Sequence, residues 1–452
     1  MSWLTTYFII AWIIRIVMVP AILARQMAPG ASIAWLGIIF LHPYIGLTLY
    51  AAIGETRLGP RRTARHRALM SQFRSGARDL QQQHRDAVLD LQAPYEPMVL
   101  QAEKISGLPV LGDNSVEFLP ESSTMVDRLV ADIDAARSQV YLLYYIFAPD
   151  GTGERVAAAL ERAAGRGIAC RVLVDAVASR VFFHRRALAR RLRAAGVEVA
   201  AALPVAPIQR RLPRMDLRNH RKLAILDSTI AYAGSHNLVN PDYGGRRGAP
   251  WVDLTGRFTG PVVDELSIVF AEDWAVETGQ VLDAPTLPRP AETPGGTPMQ
   301  VVPTGPSAPG ETYRRLLLAA IQSARSRLIL TTPYFVPDET TLVALLMAAD
   351  RGVDVALILP ERPDHIFTAA AGRAHFARLL DAGIAIHLYR PGLLHAKTTT
   401  IDDAFALFGS ANLDVRSFNL NFELSLLLYG PEITARLRAI QVGYLADSHP
   451  LD

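Results

Sequence analysis

Hydrophobic positions divide this 452-residue sequence into two unlike parts. Trp3 to Ala24 is a nearly unbroken apolar run, interrupted by Arg15 and Pro20. Ile33 to Ile53 is a second run, with His42-Pro43 near its middle. Each is long enough to cross a bilayer, which takes about 20 residues as a helix. A cleaved signal peptide is the competing reading of the first run. That run lacks a basic leading region and a second one follows closely, so a retained transmembrane helical hairpin is expected over 1–54. Arg15 is costly in lipid unless it snorkels or finds a partner such as an anionic headgroup, and snorkelling is the plainer reading. His42-Pro43 predicts a kink. The connection Arg25 to Ser32 holds one positive charge, whereas Arg57, Arg61, Arg62, Arg65 and Arg67 follow the second run. The positive-inside tendency therefore puts both termini and the large C-terminal portion in the cytoplasm.

Beyond the hairpin the pattern changes. Leu58 to about Leu91 is rich in Arg and Gln with scattered Leu, Met and Phe, as in an amphipathic surface helix or a merely solvated one. Residues 55–112 are accordingly expected to be a basic helical linker. Strand–helix–strand patterning then appears twice. Ala136-Arg137-Ser138 opens the apolar run Val140 to Phe147, and Ala324-Arg325-Ser326 opens Leu328 to Phe335. Helical stretches close at Arg166-Gly167 and Arg351-Gly352, and apolar strands follow at Cys170 to Val174 and Val355 to Leu359. The alternation predicts two α/β domains of one plan, over 113–280 and 301–452. The Pro-rich stretch Ala284 to Pro298 predicts a linker, placed at 281–300.

Composition adds four points. Half the residues are hydrophobic, enough for sizeable cores, and a net charge of +3 gives no nucleic-acid signature. The single cysteine, Cys170, sits among Ile168, Ala169, Val172, Leu173 and Val174 and is expected in a core strand. Lysine is nearly absent: Lys104, Lys222 and Lys397 stand against 43 arginines.

Two of those three lysines occur in a repeated motif. His220, Lys222 and Asp227 form His-x-Lys-x4-Asp, and His395, Lys397 and Asp402 form it again 175 residues later. Seven residues after each Asp comes Gly-Ser-x-Asn, as Gly234-Ser235-His236-Asn237 and Gly409-Ser410-Ala411-Asn412. Alternation in Leu394-His395-Ala396-Lys397 puts His395 and Lys397 on one face of a strand. Two imidazoles can serve as nucleophile and general acid/base, and two compact ammonium charges can hold a phosphate. The set suits phosphodiester chemistry without a metal or other cofactor. Lysine is not a usual ligand, and no His/Cys cluster has zinc-like spacing. A half-site with one His lacks an opposed acid, so the two copies are expected to face each other across a pseudo-twofold axis.

These residues resemble the phospholipase D superfamily. The run Gly409-Ser410-Ala411-Asn412-Leu413-Asp414-Val415-Arg416-Ser417, continuing to Asn421-Phe422-Glu423, narrows the resemblance to bacterial cardiolipin synthases. The two N-terminal spans join that run in pointing there, and Ile33-Ala34-Trp35-Leu36, Pro43-Tyr44-Ile45-Gly46, Tyr145-Ile146-Phe147 leading to Asp150-Gly151, Asn219-His220-Arg221-Lys222 and Trp251-Val252-Asp253 are further shared features. Such proteins usually continue beyond His449-Pro450-Leu451-Asp452, where this sequence stops, which leaves the acceptor-side surface open.

The resemblance implies a multi-pass protein of the bacterial inner membrane that acts on phosphatidylglycerol and other anionic phospholipids, with oligomerisation left open. It implies transfer of a phosphatidyl group from one phosphatidylglycerol to another through a phosphohistidine. By analogy His220 is the nucleophile and His395 the acid/base, although the symmetry leaves the reverse open. Lys222 and Lys397 would bind the non-bridging oxygens, with Asn237 and Asn412 helping and Ser235 and Ser410 adding hydrogen bonds. Asp253 and Glu423 would each orient an imidazole. Asp227 and Asp402, at the far ends of their strands, are expected to serve the fold as much as the chemistry. The rival readings are a hydrolytic phospholipase D or a transferase using another alcohol, a nuclease of the superfamily, and a non-catalytic lipid-binding scaffold.

Overall fold

The computed structural model describes residues 2–25, 27, 29–54, 62, 64–66, 68–69, 82–184, 188–204, 216–243, 250–282, 294–306 and 311–451. Most of the basic stretch after residue 54 and most of the Pro-rich linker lie outside the described residues.

The N-terminal unit is helical. Its first apolar run forms one helix, Trp3–Leu23, and this helix is long and apolar enough to cross a membrane. The second run is not one continuous helix. It divides into Pro29–Leu41, Pro43–Leu49 and a π-helical turn, Tyr50–Gly54. Pro43 is the physical cause: it has no N–H to donate and its ring clashes with the preceding turn, so the helix ends at Leu41 and restarts. The break frees a carbonyl in the apolar layer. Phe40 O accepts from Arg15 Nε at 3.1 Å and Nη2 at 3.0 Å. Arg15 therefore has an internal partner, which lowers the cost of placing it among apolar residues. Apolar side chains cover the outside, including Trp3, Leu4, Ile16, Ile33 and Leu41. Burying such a surface in lipid is favourable.

The second unit is an α/β structure with two lobes of one topology. In the first lobe the strand order is Leu111–Leu119, Thr255–Thr259, Ile230–Gly234, Lys222–Leu226, Gln139–Tyr144, Ala169–Asp175, Glu198–Ala202. In the second it is Thr297–Thr304, Asn421–Tyr429, Phe405–Gly409, Thr398–Ile401, Arg327–Thr331, Asp354–Pro360, Ala385–Tyr389, with Ser448–Pro450 added at the edge. The leading strands of the two lobes pair antiparallel, Leu111 opposite Met299, so one sheet runs through both.

Helices cover both faces, as expected for a sheet whose strands are apolar on both sides. Helices Val262–Thr278 and Pro431–Ala446 pack on one face over a core shared by the lobes, which holds Phe258, Phe270, Trp274, Phe408 and Leu437. On the other face each lobe has its own core, beneath Ser122–Ala135 and Gly151–Gly165 in the first and Thr312–Ser323 and Glu339–Asp350 in the second. Cys170 is buried in the first-lobe core.

Candidate active site

Two short parallel bridges bring the duplicated motifs to a common centre. Arg218–Asn219 pairs with Asn421–Phe422, and Trp251–Val252 pairs with Leu393–Leu394. The residue following each bridge strand is a motif histidine on one side and a carboxylate on the other. His220 thus meets Glu423, and His395 meets Asp253. His220 N–H donates to Phe422 O at 2.9 Å and His395 N–H to Val252 O at 2.8 Å, fixing the backbone on which each ring stands. Each carboxylate therefore comes from the opposite lobe to its histidine.

The rings are held alike. His220 Nδ1 lies 2.9 and 3.0 Å from the two Glu423 oxygens, and His395 Nδ1 lies 2.6 Å from Asp253 Oδ1. With the carboxylates ionised, both Nδ1 atoms carry the proton and donate it, which leaves the Nε2 lone pair at the opposite edge of each ring. Both carboxylates are braced in turn. Ser235 Oγ donates to Asp253 at 2.6 Å and accepts from Leu254 N–H. Ser410 Oγ donates to Glu423 at 2.6 Å and accepts from Leu424 N–H. Ser417 and Asn421 donate to Glu423 as well. The serines thus bind the orienting carboxylates rather than lining the cavity, a second-tier position that spacing alone did not reveal.

The glycine before each serine has a steric reason. A Cβ on Gly234 would lie 2.3 Å from Leu254 O, and one on Gly409 would lie 2.2 Å from Leu424 O. Only glycine lets these strand ends approach closely enough for Ser235 N–H and Ser410 N–H to reach those same carbonyls.

Each lysine folds back on its own motif. Lys222 Nζ donates to His220 O at 2.6 Å and Lys397 Nζ to His395 O at 2.5 Å, and both side chains are buried. Lys222 Nζ also lies 5.3 Å from the Tyr145 ring, which packs edge-on against His220. Arg221, between His220 and Lys222, points to the other side and pairs with Asp273 at 2.7 Å, while its Nε donates to Glu423 O. Arg218 and Asn219 are tied to Asp175 and Asp273. This network anchors the first motif and was not foreseen from the sequence.

Burial and two ammonium groups set the charge states. Burial lowers the pKa of His220 to about 4, with Lys222 and Lys397 adding to the effect against the pull of Glu423. Burial and Lys397 lower that of His395 to about 3 against the pull of Asp253. Burial raises Asp253 and Glu423, but the facing histidine, a motif lysine and neighbouring polar groups together outweigh it and hold each carboxyl below its ordinary value. Burial also lowers Lys397 to about 8, and burial with Lys397 lowers Lys222. The resting site has neutral imidazoles, ionised carboxylates and nearby ammonium charge. An anion entering it gains attraction from the lysines and favours protonation of a ring.

His220 and His395 line one cavity of about 940 Å³, together with Asn237 and Asn412. The lysines and serines lie behind this wall. Trp251 of the first lobe, with its ring centre 4.4 Å from that of His395, and Tyr334 of the second, at 6.5 Å, complete the wall beside His395. Asp414 also faces the cavity, and burial raises its carboxyl to about 6.

Asp227 and Asp402 are elsewhere. Asp227 accepts from the N–H groups of Arg137, Ser138 and Gln139 and from Ser138 Oγ. Asp402 repeats this with Arg325, Ser326 and Arg327. Both have positive φ, at 51° and 49°, in the turn at the far end of the motif strand. They tie that turn to the start of the neighbouring strand and do not line the cavity. The geometry separates them from the catalytic group in which the motif had placed them.

Comparison with known proteins identifies the family and the fold. The family model described as cardiolipin synthase, PLD-like domain, matches residues 129–247 and 317–441. Cardiolipin synthase A of Yersinia pseudotuberculosis serotype O:1b is 37% identical over 458 residues, covering 100% of this chain and 93% of that protein. The chain belongs to the cardiolipin synthase family. Cardiolipin synthase A of Yersinia pestis matches with the same identity and coverage. Family membership makes the chain a phosphatidyltransferase of the phospholipase D superfamily. The crystal structure of phosphatidylserine synthase from Haemophilus influenzae superposes with a TM-score of 0.59 over 78% of this chain and 92% of that one, at 18% identity, which shows a shared fold.

Proposed function

We propose that the protein transfers a phosphatidyl group from one phosphatidylglycerol to a second, giving cardiolipin and glycerol through a phosphohistidine. The observation that carries this reading is the crossed pairing of the two histidines. Each donates Nδ1–H to a carboxylate of the other lobe, and both line one cavity. His220 Nε2 attacks phosphorus, the bond to the glycerol oxygen breaks, and His395 gives that oxygen a proton. The entering phosphodiester supplies the negative charge that lets His395 carry this proton. His395 then takes the proton from a hydroxyl of a second phosphatidylglycerol, whose oxygen attacks phosphorus and frees His220. Lys222 and Lys397 act from behind the rings as fixed positive charge for the growing negative charge on the phosphoryl oxygens, and Asn237 and Asn412 reach them from the wall.

Membrane residence supports transfer over hydrolysis, because anchoring raises the local concentration of a lipid acceptor. The apolar helices of the N-terminal unit fit a multi-pass anchor, and the arginines beyond them favour a cytoplasmic active site. In phosphatidylglycerol vesicles without other lipid, the protein should produce cardiolipin and glycerol in equal amounts. Phosphatidic acid with free glycerol as the main products would instead indicate a hydrolase. His220→Ala should abolish either activity.

A further inference from the structure

The histidines have matching cages but unlike surroundings. Tyr145-Ile146-Phe147 in the first lobe aligns with Pro333-Tyr334-Phe335 in the second, so Tyr334 stands where the first lobe has Ile146. The Tyr334 hydroxyl donates to Asp364, 3.0 and 2.9 Å from its two oxygens, and both residues line the cavity on the His395 side. The neighbouring asparagines differ too. Asn237 Oδ1 accepts from Ile146 N–H at 3.1 Å. Asn412, only 3% exposed and also on the cavity wall, has no hydrogen-bond partner for Oδ1 among the described residues.

A carboxylate on the wall of a phosphate-binding cavity is unfavourable by itself, because like charges repel. The one ion-pair contact of Asp364 among the described residues is with His365, Nε2 at 3.6 Å on a side chain 67% exposed, and buried Lys397 acts on it only through longer-range attraction. Such a contact is weak and screened. The acceptors of Asp364 and Asn412 would be matched by a ligand that presents hydroxyl donors next to its phosphate.

We infer that Asp364, positioned by Tyr334, and Asn412 form a polyol subsite that accepts hydrogen bonds from the free hydroxyls of a glycerol headgroup. This rests on the proposed reaction, in which His395 handles the proton of the departing and attacking alcohol. The subsite lies beside that ring, where the alcohol would bind. It would select glycerol-bearing acceptors over alcohols with a single hydroxyl.

The test is a competition at the phosphatidyl-enzyme. Full-length protein in phosphatidylglycerol vesicles receives deuterated glycerol and 1-propanol together, and mass spectrometry gives the ratio of deuterated phosphatidylglycerol to phosphatidylpropanol. Both products come from one intermediate, so the ratio does not depend on how much protein folds. Wild type should favour glycerol by about tenfold or more, since a site built to bond a hydroxyl rejects an analogue lacking it. Asp364→Ala should lower the ratio about tenfold, and Tyr334→Phe should lower it less, the loss of one charge-linked hydrogen bond being modest. An unchanged ratio in both variants overturns the polyol subsite and leaves the transfer reaction standing. Phosphatidic acid as the wild-type product, with neither exchange product and no cardiolipin, overturns the transfer reading as well.

Discussion

The two half-sites share a histidine–carboxylate–serine–lysine arrangement and differ in their walls. His220 is held by Glu423 beside Tyr145, and His395 by Asp253 beside Trp251 and Tyr334. In both, a serine braces the carboxylate and a lysine folds onto the carbonyl of its histidine. Duplication alone would give each lobe a complete and equal half. Instead each ring depends on the other lobe for its carboxylate, so neither half is complete without the other. In the proposed reaction the chemistry common to the two steps falls to these symmetric parts, and discrimination between bound groups falls to the unlike walls.

The largest expected effect is on the crossed carboxylates. Glu423→Gln or Asp253→Asn should lower kcat by about 10²–10⁴-fold, because the amide no longer fixes the imidazole tautomer. Steady-state kinetics in phosphatidylglycerol vesicles checks this, and a loss confined to one variant would break the symmetry of the two cages. A smaller effect concerns pH. Lys397, lowered to about 8 by burial, is charged below that pH and neutral above it. Hence kcat/KM should fall as pH rises through about 8, well before an ordinary lysine would titrate; a flat profile to pH 10 would remove that lysine from phosphate binding. The smallest effect on catalysis is expected from Asp227→Ala and Asp402→Ala. Each should cost roughly 1.5–3 kcal/mol of stability from lost charge-linked hydrogen bonds. Their folded fractions should retain turnover within a few-fold, and denaturant unfolding alongside kinetics separates the two outcomes.

Much of this was legible in the sequence, for a physical reason in each case. Two spaced copies of His-x-Lys specify two strands that present the same chemistry, and apolar strand–helix alternation specifies the α/β lobes. The crossing of carboxylates was not legible. It depends on Asn219 meeting Phe422 and Val252 meeting Leu394, contacts between lobes that no local pattern encodes. The serines were expected near phosphate but lie behind the carboxylates, because their depth follows from the approach of strands at Gly234 and Gly409. In the N-terminal apolar unit, composition gave the apolar runs and Pro43 gave the break. The pairing of Arg15 with the freed Phe40 carbonyl needed coordinates.

The central claim is that His220 and His395 act on one phosphorus atom, with His220 taking the phosphatidyl group. Protein quenched in acid-free conditions during turnover of phosphatidylglycerol, then digested and mapped by mass spectrometry, tests it directly. The account predicts a phosphatidyl adduct on the imidazole of His220, absent from His220→Ala. Steady turnover to cardiolipin with no adduct on either imidazole, or the same rate in His220→Ala, would contradict it.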